Sequence, residues 1–182
     1  MTFITVKVDR AKLDARLAAL GKAESYQSRL LAPAARAIKT RIDLGFKNSV
    51  DPWGQPWAPL KCRDGKPLRD TGVLQSSIST NFGQSGNKSW FVIGTNRTVS
   101  WRGVSWNLGS IHQYGATVVP RPDNKKGLLR FSCGGSTIYA KKSVIPARAF
   151  LPLRPYDILD LPPSWALAAR EATRRAFGEV FR

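Results

Sequence analysis

The sequence has very few of the residues that build metal centres and disulfide frameworks. Its 182 residues include one histidine, His112, and two cysteines, Cys62 and Cys133. The cysteines are isolated, without Cys-x-x-Cys spacing, and in a reducing compartment we expect both to be free thiols. A zinc or iron site would have almost no ligands, so the sequence predicts neither a metal nor another cofactor.

A long apolar run is also missing. No stretch approaches the roughly 20 apolar residues of a membrane-spanning helix. The first ten residues, "MTFITVKVDR", alternate apolar and polar side chains, whereas a secretory signal has a continuous apolar core. We therefore expect a protein that is not inserted in a membrane and that stays in a cytoplasm-like compartment or is released by lysis.

Acidic residues are scarce: 12 Asp and Glu stand against 29 Lys and Arg, for a net charge of +17. Such an excess predicts a polyanionic neighbour, either nucleic acid or an acidic protein surface. The basic residues are spread along the chain, and the longest runs are pairs such as Lys125-Lys126. This distribution lacks the basic cluster of a sequence-specific DNA reader and indicates a diffuse positive field. A generally basic surface without a polyanionic partner is the alternative.

The N-terminal third predicts one strand and two helices. Residues 3–8 alternate and are β-branched, which is typical of a strand, and a leucine stripe predicts a helix over 10–20. A second helix is predicted over 24–47, with either a kink or a fresh start at Pro33. Its buried seam is expected at Ile38, Ile42 and Phe46, which recur every four residues.

The rest of the chain predicts an antiparallel sheet with long loops and a closing helix. The fold class is therefore α+β: N-terminal helices, a central antiparallel sheet with long loops, and a C-terminal helix. The length suits a single domain over 1–182, with a helical part (1–48), a β-rich core (49–156) and a C-terminal helix (157–182). The predicted elements are an ordered loop after residue 48, a hairpin across "GQSGNK", a Trp-rich loop over 97–110, a helical turn ending at Gly115 and leading into a strand, a hairpin around Gly134-Gly135, an extended segment over 143–155, and a helix from Pro163.

The triplet Asp70-Thr71-Gly72 matches the active-site motif of aspartic proteases, in which paired carboxylates share a proton. Arg69 precedes the aspartate directly, and its charge would favour the ionised carboxylate over a shared proton. The stretch "VLQSSI" that follows suits a short amphipathic helix, for which Asp70 or Thr71 is a natural N-cap. We therefore interpret the triplet as structural.

Other catalytic arrangements have less support. His112 has no nucleophile elbow or flanking acid, and there is no phosphate-cradling loop. Composition alone does not exclude a divalent-metal nuclease, although nothing in the spacing of Asp43, Asp51, Asp64 and Asp70 supports one. We expect a protein that is not an enzyme.

Five segments, in this order along the chain, match the motifs of a known family: "FKNSVDPWGQPWAPLK", "LRDTGVLQSSI", "VIGTN", "IHQYGA" and "IPARAFL". Together they resemble the phage virion morphogenesis family, the tail-completion and neck proteins of contractile-tailed phages and Mu-like prophages. The matching positions are Phe46, Asp51, Pro52, Gly54, Trp57 and Leu60; Leu68, Thr71, Gly72 and Leu74; His112, Gln113 and Gly115; and Pro146, Arg148, Phe150 and Leu151. The Trp-rich stretch 97–110 and the hairpin segment "RPDNKKGLLRFSCGGSTIYAKK" (121–142), which is longer than the family core, depart from the family pattern.

This resemblance implies a structural virion protein that completes or terminates the tail and joins it to the head. It implies a homo-oligomeric ring, expected to be hexameric, with the tail tube and the head–tail connector as partners and double-stranded DNA passing through its lumen. Assembly would take place in the host cytoplasm.

The subunit or partner contact is expected in two of the family segments. Its predicted residues are His112, Gln113, Tyr114, Arg148, Phe150 and Leu151. The alternative is that His112, Phe150 and Leu151 pack the domain core. The predicted loop and cap residues are Asp51, Trp53, Trp57, Asp70, Thr71 and Gly72.

A protein that binds nucleic acid without sequence preference is the alternative function. Its diffuse basic surface would hold the backbone, and exposed tryptophans would provide stacking platforms.

Overall fold

The computed structural model describes residues 2–9, 31–85, 88–101 and 103–180. Within them, helices combine with antiparallel strands, which confirms the α+β class. The helices are α1 (Ala32–Asn48), α2 (Val73–Ser76), α3 (Leu108–Tyr114) and α4 (Pro163–Val180). The strands are β1 (Thr2–Asp9), β2 (Ser79–Ser85), β3 (Lys88–Thr95), β4 (Thr98–Trp101), β5 (Val104–Asn107), β6 (Ala116–Val118), β7 (Leu129–Cys133), β8 (Ser136–Ala140), β9 (Ser143–Ile145), β10 (Leu153–Arg154) and β11 (Ile158–Leu159). The division into a single domain with three parts stays a prediction.

Helix α1 starts with Pro33 in its first turn, where the missing proline N–H has no helical partner to lose. The seam of Ile38, Ile42 and Phe46 is confirmed, because all three are fully buried. The kink or fresh start expected at Pro33 stays a prediction, because the residues before Leu31 lie outside the described part of the chain. The helix ends where Ser49 adopts a left-handed backbone with φ 57° and its N–H donates to the Gly45 carbonyl. The helix predicted over 10–20, and residues 24–30 of the second predicted helix, lie outside the described residues.

The core sheet has the order β1-β3-β2, and both pairings are antiparallel. Alternate residues of β3 are buried on the face that packs toward α1, including Phe91 and Ile93. Ile4 lies opposite Ile93 and joins the same cluster. On the other face, Gly83 lies opposite Trp90, and a Cβ on Gly83 would approach the indole ring to 2.5 Å. The glycine therefore leaves room for the indole to cover the strand.

Helix α4 packs along α1 and closes the core, with Trp165 buried between the layers. The predicted C-terminal helix from Pro163 is confirmed. Among the described helices, none is both long and apolar enough to cross a membrane.

The Trp-rich stretch 97–110 was expected to be a loop, and this prediction is wrong. Strands β4 and β5 pair antiparallel in it, and α3 follows directly. Val99 lies opposite Trp106, and the hydroxyls of Ser100 and Ser105 are hydrogen-bonded across the pair at 2.5 Å. Cross-strand contacts of β-branched, aromatic and hydroxyl side chains outweigh the Gly and Ser content that suggested a loop.

Small two-stranded pairs surround the core. Helix α3 ends at Gly115 with φ 76° and leads into β6, as expected, and β6 pairs with β9. The hairpin of β7 and β8 turns at Gly134-Gly135, which is also confirmed.

The expectation of free thiols is wrong, because Cys62 and Cys133 form a disulfide across a sequence separation of 71. The Gly134 N–H donates to the Cys62 carbonyl at 3.1 Å, so the β7–β8 turn lies against the loop after α1. Two cysteines that are isolated in sequence become neighbours because the fold brings this hairpin back to that loop.

Candidate functional site

The family-like segments meet around the side chain of Gln113, which is 3% exposed. Its amide nitrogen donates to the carbonyls of Leu151 at 2.9 Å and Leu153 at 3.3 Å. Its amide oxygen accepts from the N–H groups of Phe150 and Leu151, both at 3.1 Å. One buried side chain therefore hydrogen-bonds four backbone groups of residues 150–153, the last of which begins β10.

Arg148 fixes the same segment to the loop after α1, although it is basic and only 7% exposed. Its Nε donates to the Ala58 carbonyl at 2.8 Å and its Nη2 to the Pro59 carbonyl at 3.1 Å. Its backbone N–H donates to the His112 carbonyl at 2.7 Å. Burial, followed by the nearby Arg63, lowers the pKa of Arg148. Arg148 thus ties its own segment to two others, to residues 58–59 through its guanidinium and to α3 through its backbone N–H.

An aromatic cluster completes this scaffold from the α1 side. Phe46 packs edge-on against Trp57 with ring centroids 5.3 Å apart, and against Phe150 at 5.6 Å. The Trp57 indole N–H donates to the Ala149 carbonyl at 2.8 Å. The Asp-Pro-x-Gly-x-x-Trp loop is therefore anchored to the segment that carries Arg148.

Asp51 shapes that loop from within. Its Oδ1 accepts from the N–H groups of Trp53 at 2.9 Å and Gln55 at 2.8 Å. Gly54 has φ 89°, which a residue with a side chain rarely adopts. The Trp53 ring lies under the Arg154 guanidinium, 4.1 Å from its carbon to the ring centroid. Asp51, Trp53 and Trp57 therefore order the loop.

The capping role expected for Asp70 or Thr71 is wrong. Gly72, with φ 72°, occupies the N-cap position of α2, and no side chain caps the helix. The Thr71 hydroxyl lies 3.5 Å from the Val73 N–H, too far for a strong bond, and the Asp70 carboxylate accepts from Arg63 at 2.9 Å. The left-handed backbone at Gly72 turns the chain just before the helix, which carries both side chains away from its first turn.

A cleft of about 250 Å³ lies beside this scaffold, and we name it the motif cleft. Residues from several family-like segments line it, among them Leu60, Leu68, Asp70, His112 and Arg148. The His112 Nδ1 is buried and has no hydrogen-bond partner among the described residues. Burial, and then the charge of Arg148, lower the pKa of His112, so its imidazole is neutral at pH 7.

The motif cleft does not assemble a catalytic arrangement. The Asp70 side chain is 70% exposed and paired with Arg63, unlike the buried carboxylate pair of an aspartic protease. Asp43 pairs with Lys39 at 3.2 Å on α1. In the part of the chain that the structure describes, no cluster of three His, Cys, Asp or Glu residues could hold a metal ion.

The six residues predicted at a subunit contact are placed mostly inside the protomer. Gln113, Arg148, Phe150 and Leu151 are buried, and His112 is half-buried. Tyr114 is 38% exposed, and its hydroxyl donates to the Asp157 carboxylate. Burial first, and then this hydrogen bond, raise the pKa of Tyr114. The subunit contact stays a prediction, and of the six residues Tyr114 offers it the most surface.

Two exposed features were missed by the sequence analysis. The turn between β10 and β11 presents Tyr156, and an apolar groove lies beside β5 and β6. The segment "YDILD" carried a signal, because it places apolar side chains next to two of the few acidic residues. The groove had none, because its lining comes from three short strands, β5, β6 and β7, and from the loop between β6 and β7.

Comparison with known proteins agrees with the scaffold. The sequence model of the phage virion morphogenesis family matches residues 8–160. The chain is also similar to "Mu-like prophage FluMu G protein 2" of Haemophilus influenzae, with 27% identity over 160 residues, which cover 87% of this chain and 90% of that protein. No solved structure matches it significantly.

Proposed function

Because the chain belongs to the phage virion morphogenesis family and so takes part in building the phage particle, we propose that it is a non-enzymatic structural protein of the head–tail junction. There it completes the tail and joins it to the head. Both the tail-tube side and the connector side of the neck are compatible with this role.

The observation that carries the proposal is how the family-like residues use their polar groups. Gln113 and Arg148 direct their hydrogen bonds to backbone carbonyls and N–H groups of their own chain, where a catalytic site would direct them at a substrate. Trp57 does the same through its indole N–H. These residues build a rigid support for the surrounding hairpins, which suits a protein whose work is to hold partners in a fixed arrangement.

The proposed assembly is a hexameric ring of this chain, in contact with tail-tube and connector proteins. Repetition in a ring makes a modest interface per subunit strong in sum. Apart from Arg148 and the half-buried Lys39, the basic side chains that the structure describes are exposed. A lumen lined by some of them would accept DNA in transit through its phosphates, without reading bases.

Non-specific nucleic-acid binding by the isolated protein is the competing function. Its basic surface is present, but its stacking platforms are fewer than the sequence suggested. Trp57 and Trp165 are buried, Trp53 lies under Arg154, and Trp90 covers Gly83. Among tryptophans whose side chains are described, Trp106 is the exposed one.

The test is electron microscopy of lysates in which the phage gene for this chain carries a nonsense mutation. We expect DNA-filled heads and separate tails, or tails of uncontrolled length. Supplying the wild-type chain from a plasmid should restore joined particles. Normal particles without the chain would refute the proposal and would favour the nucleic-acid function.

A further inference from the structure

The turn between β10 and β11 forms an exposed knob, which we define as residues 156–160. Tyr156 is 95% exposed, and Ile158 and Leu159 are exposed beside it. Asp157 and Asp160 make the knob acidic, in a chain whose net charge is +17. An aromatic ring almost fully exposed to water gains nothing for the protomer's own folding, so its placement needs another reason.

The knob is held in an unfavourable backbone conformation. Tyr156 has φ 67° and Asp157 has φ 58°, although neither is glycine. Three interactions hold the turn: Tyr114 donates to the Asp157 carboxylate, Arg154 donates to Asp160 at 2.6 Å, and the Asp160 N–H donates to the Pro152 carbonyl at 2.9 Å. Strain of this kind is characteristic of functional contacts, because the surrounding structure must maintain it.

A second feature has the complementary shape and charge. A groove of about 830 Å³ has apolar lining residues, here called its floor, that include Val104, Trp106, Val118, Val119 and Leu128. Its basic lining residues Lys125, Lys126 and Arg130 are called its rim, while Arg121, also in the lining, pairs with Asp123 at 3.4 Å. None of the knob residues lines the groove of its own protomer.

We propose that the knob of one copy of this chain docks into the groove of the next copy, Tyr156 on the apolar floor and the knob carboxylates toward the basic rim. Two chains of charge +17 repel each other over most of their surfaces, so self-association is favoured where the sign of the charge inverts. The knob is such a place. DNA phosphates would find cations on the rim but would leave the apolar floor uncovered, so DNA is a poorer occupant than the knob.

The contact joins two different surfaces, so it is heterologous. Each copy has one knob and one groove. Repetition of such a contact closes into a ring when the rotation between copies allows it. This inference rests on the proposed function, for which it supplies the subunit interface.

Two single variants test the contact in the full-length chain. Tyr156→Gly removes the knob ring and keeps a residue that tolerates φ 67°, so folding is preserved. Val119→Glu places a carboxylate on the groove floor. Val144→Glu is its matched control, because Val144 is 64% exposed against 61% for Val119 and lies outside the groove.

Analytical ultracentrifugation reports self-association of each variant. We expect Tyr156→Gly and Val119→Glu to weaken it by roughly 30-fold or more, the loss of one interface hot spot, and Val144→Glu to leave it unchanged. An equal mixture of the two disabled variants should form dimers and no rings, because one intact knob meets one intact groove. Ring formation by either variant alone, or a mixture that stays monomeric, would overturn the proposal.

A photo-reactive residue tests the contact within particles. Tyr156→p-benzoylphenylalanine in the full chain should cross-link, after irradiation of virions, to groove residues of a second copy. Cross-links to a tail protein, a connector protein or DNA would overturn the proposal by identifying another occupant. If nonsense mutants leave heads and tails unjoined while the knob and groove variants assemble normally, the proposed function stands and this contact falls.

Discussion

Replacing Gln113 with glutamate tests the scaffold, because the change keeps the side chain's size and alters its hydrogen bonding and its charge. Glutamate retains the oxygen that accepts from Phe150 and Leu151 but replaces the amide that donates to the carbonyls of Leu151 and Leu153. The Leu153 carbonyl then loses the Gln113 donor, at about 1–3 kcal/mol, while the Leu151 carbonyl keeps the Leu153 N–H at 2.8 Å and loses less. Burying the carboxylate adds a cost of several kcal/mol if it stays charged.

An opposing term comes from the two N–H groups that would donate to the charged oxygen. Hydrogen bonds to a charged group are worth about 1 kcal/mol more each than neutral ones, which recovers roughly 2 kcal/mol. The costs exceed this gain, so we expect Gln113→Glu to lower the free energy of unfolding by about 3–5 kcal/mol at pH 7. Urea unfolding followed by tryptophan fluorescence measures it, since Trp57 and Trp165 are buried.

The same variant should show a pH dependence of known sign. Burial and the facing carbonyls raise the pKa of the new carboxyl in the folded state above the ordinary glutamate value of about 4.3. Between these two pKa values the folded state binds more protons than the unfolded state, so the stability deficit shrinks as the pH falls. The control is Gln55→Glu, because Gln55 is exposed, and we expect a change within about 0.5 kcal/mol. A Gln113→Glu protein within 1 kcal/mol of wild type at pH 7, or a deficit independent of pH, would refute this account of the scaffold.

Three further predictions concern the disulfide, the histidine and a glycine. Replacing Cys62 and Cys133 by serine should lower the free energy of unfolding in urea by about 2–4 kcal/mol, since the disulfide closes a long loop. A reducing agent should lower the stability of the wild type by the same amount and leave that of the variant unchanged. NMR spectra of the imidazole should show a pKa of His112 below 6.5 in the folded protein. Because the unfolded state, with its higher pKa, binds more protons in this range, the free energy of unfolding should fall as the pH drops below 6.5. A measured pKa at or above 6.5 would contradict the burial of His112. In thermal unfolding, Gly115→Ala should lower the stability by about 1–3 kcal/mol more than Gly135→Ala does. Both glycines have positive φ, but of the two only a Cβ on Gly115 would meet backbone atoms, the nearest at 2.8 Å. Equal losses of stability would show that the backbone around Gly115 moves to accept the Cβ.

Regular elements were predictable where the pattern of apolar residues was strong. The four-residue recurrence of Ile38, Ile42 and Phe46 predicted the buried face of α1, and the Gly-rich segment "GQSGNK" predicted the antiparallel pairing of β2 with β3. The stretch 97–110 was misjudged because Gly and Ser are read as loop residues, whereas the pairing of β4 with β5 depends on contacts across the hairpin. Local sequence carries little information about such contacts.

The disulfide and the role of Gln113 were beyond the sequence for a different reason. The two cysteines come together only because the β7–β8 hairpin folds back onto the loop after α1. Gln113 and Arg148 were assigned to a subunit contact because they lie in two of the family-like segments, and because arginine is frequent among interface hot spots. The same donors and acceptors also satisfy buried backbone groups, and only the fold decides which use they have.

The motif residues and the exposed residues have different roles, which explains why the family was recognisable from the sequence while the contacts with partners were not. The residues that carry the resemblance, such as Trp57, Gln113 and Arg148, point inward and hold loops together. Changing one of them would leave buried polar groups unpaired, so their types are tightly constrained. The residue types in the exposed knob and groove are constrained only by the surfaces that they contact. In this protein, motifs therefore indicate the scaffold, and the charge and exposure of the segments outside the motifs indicate the partners.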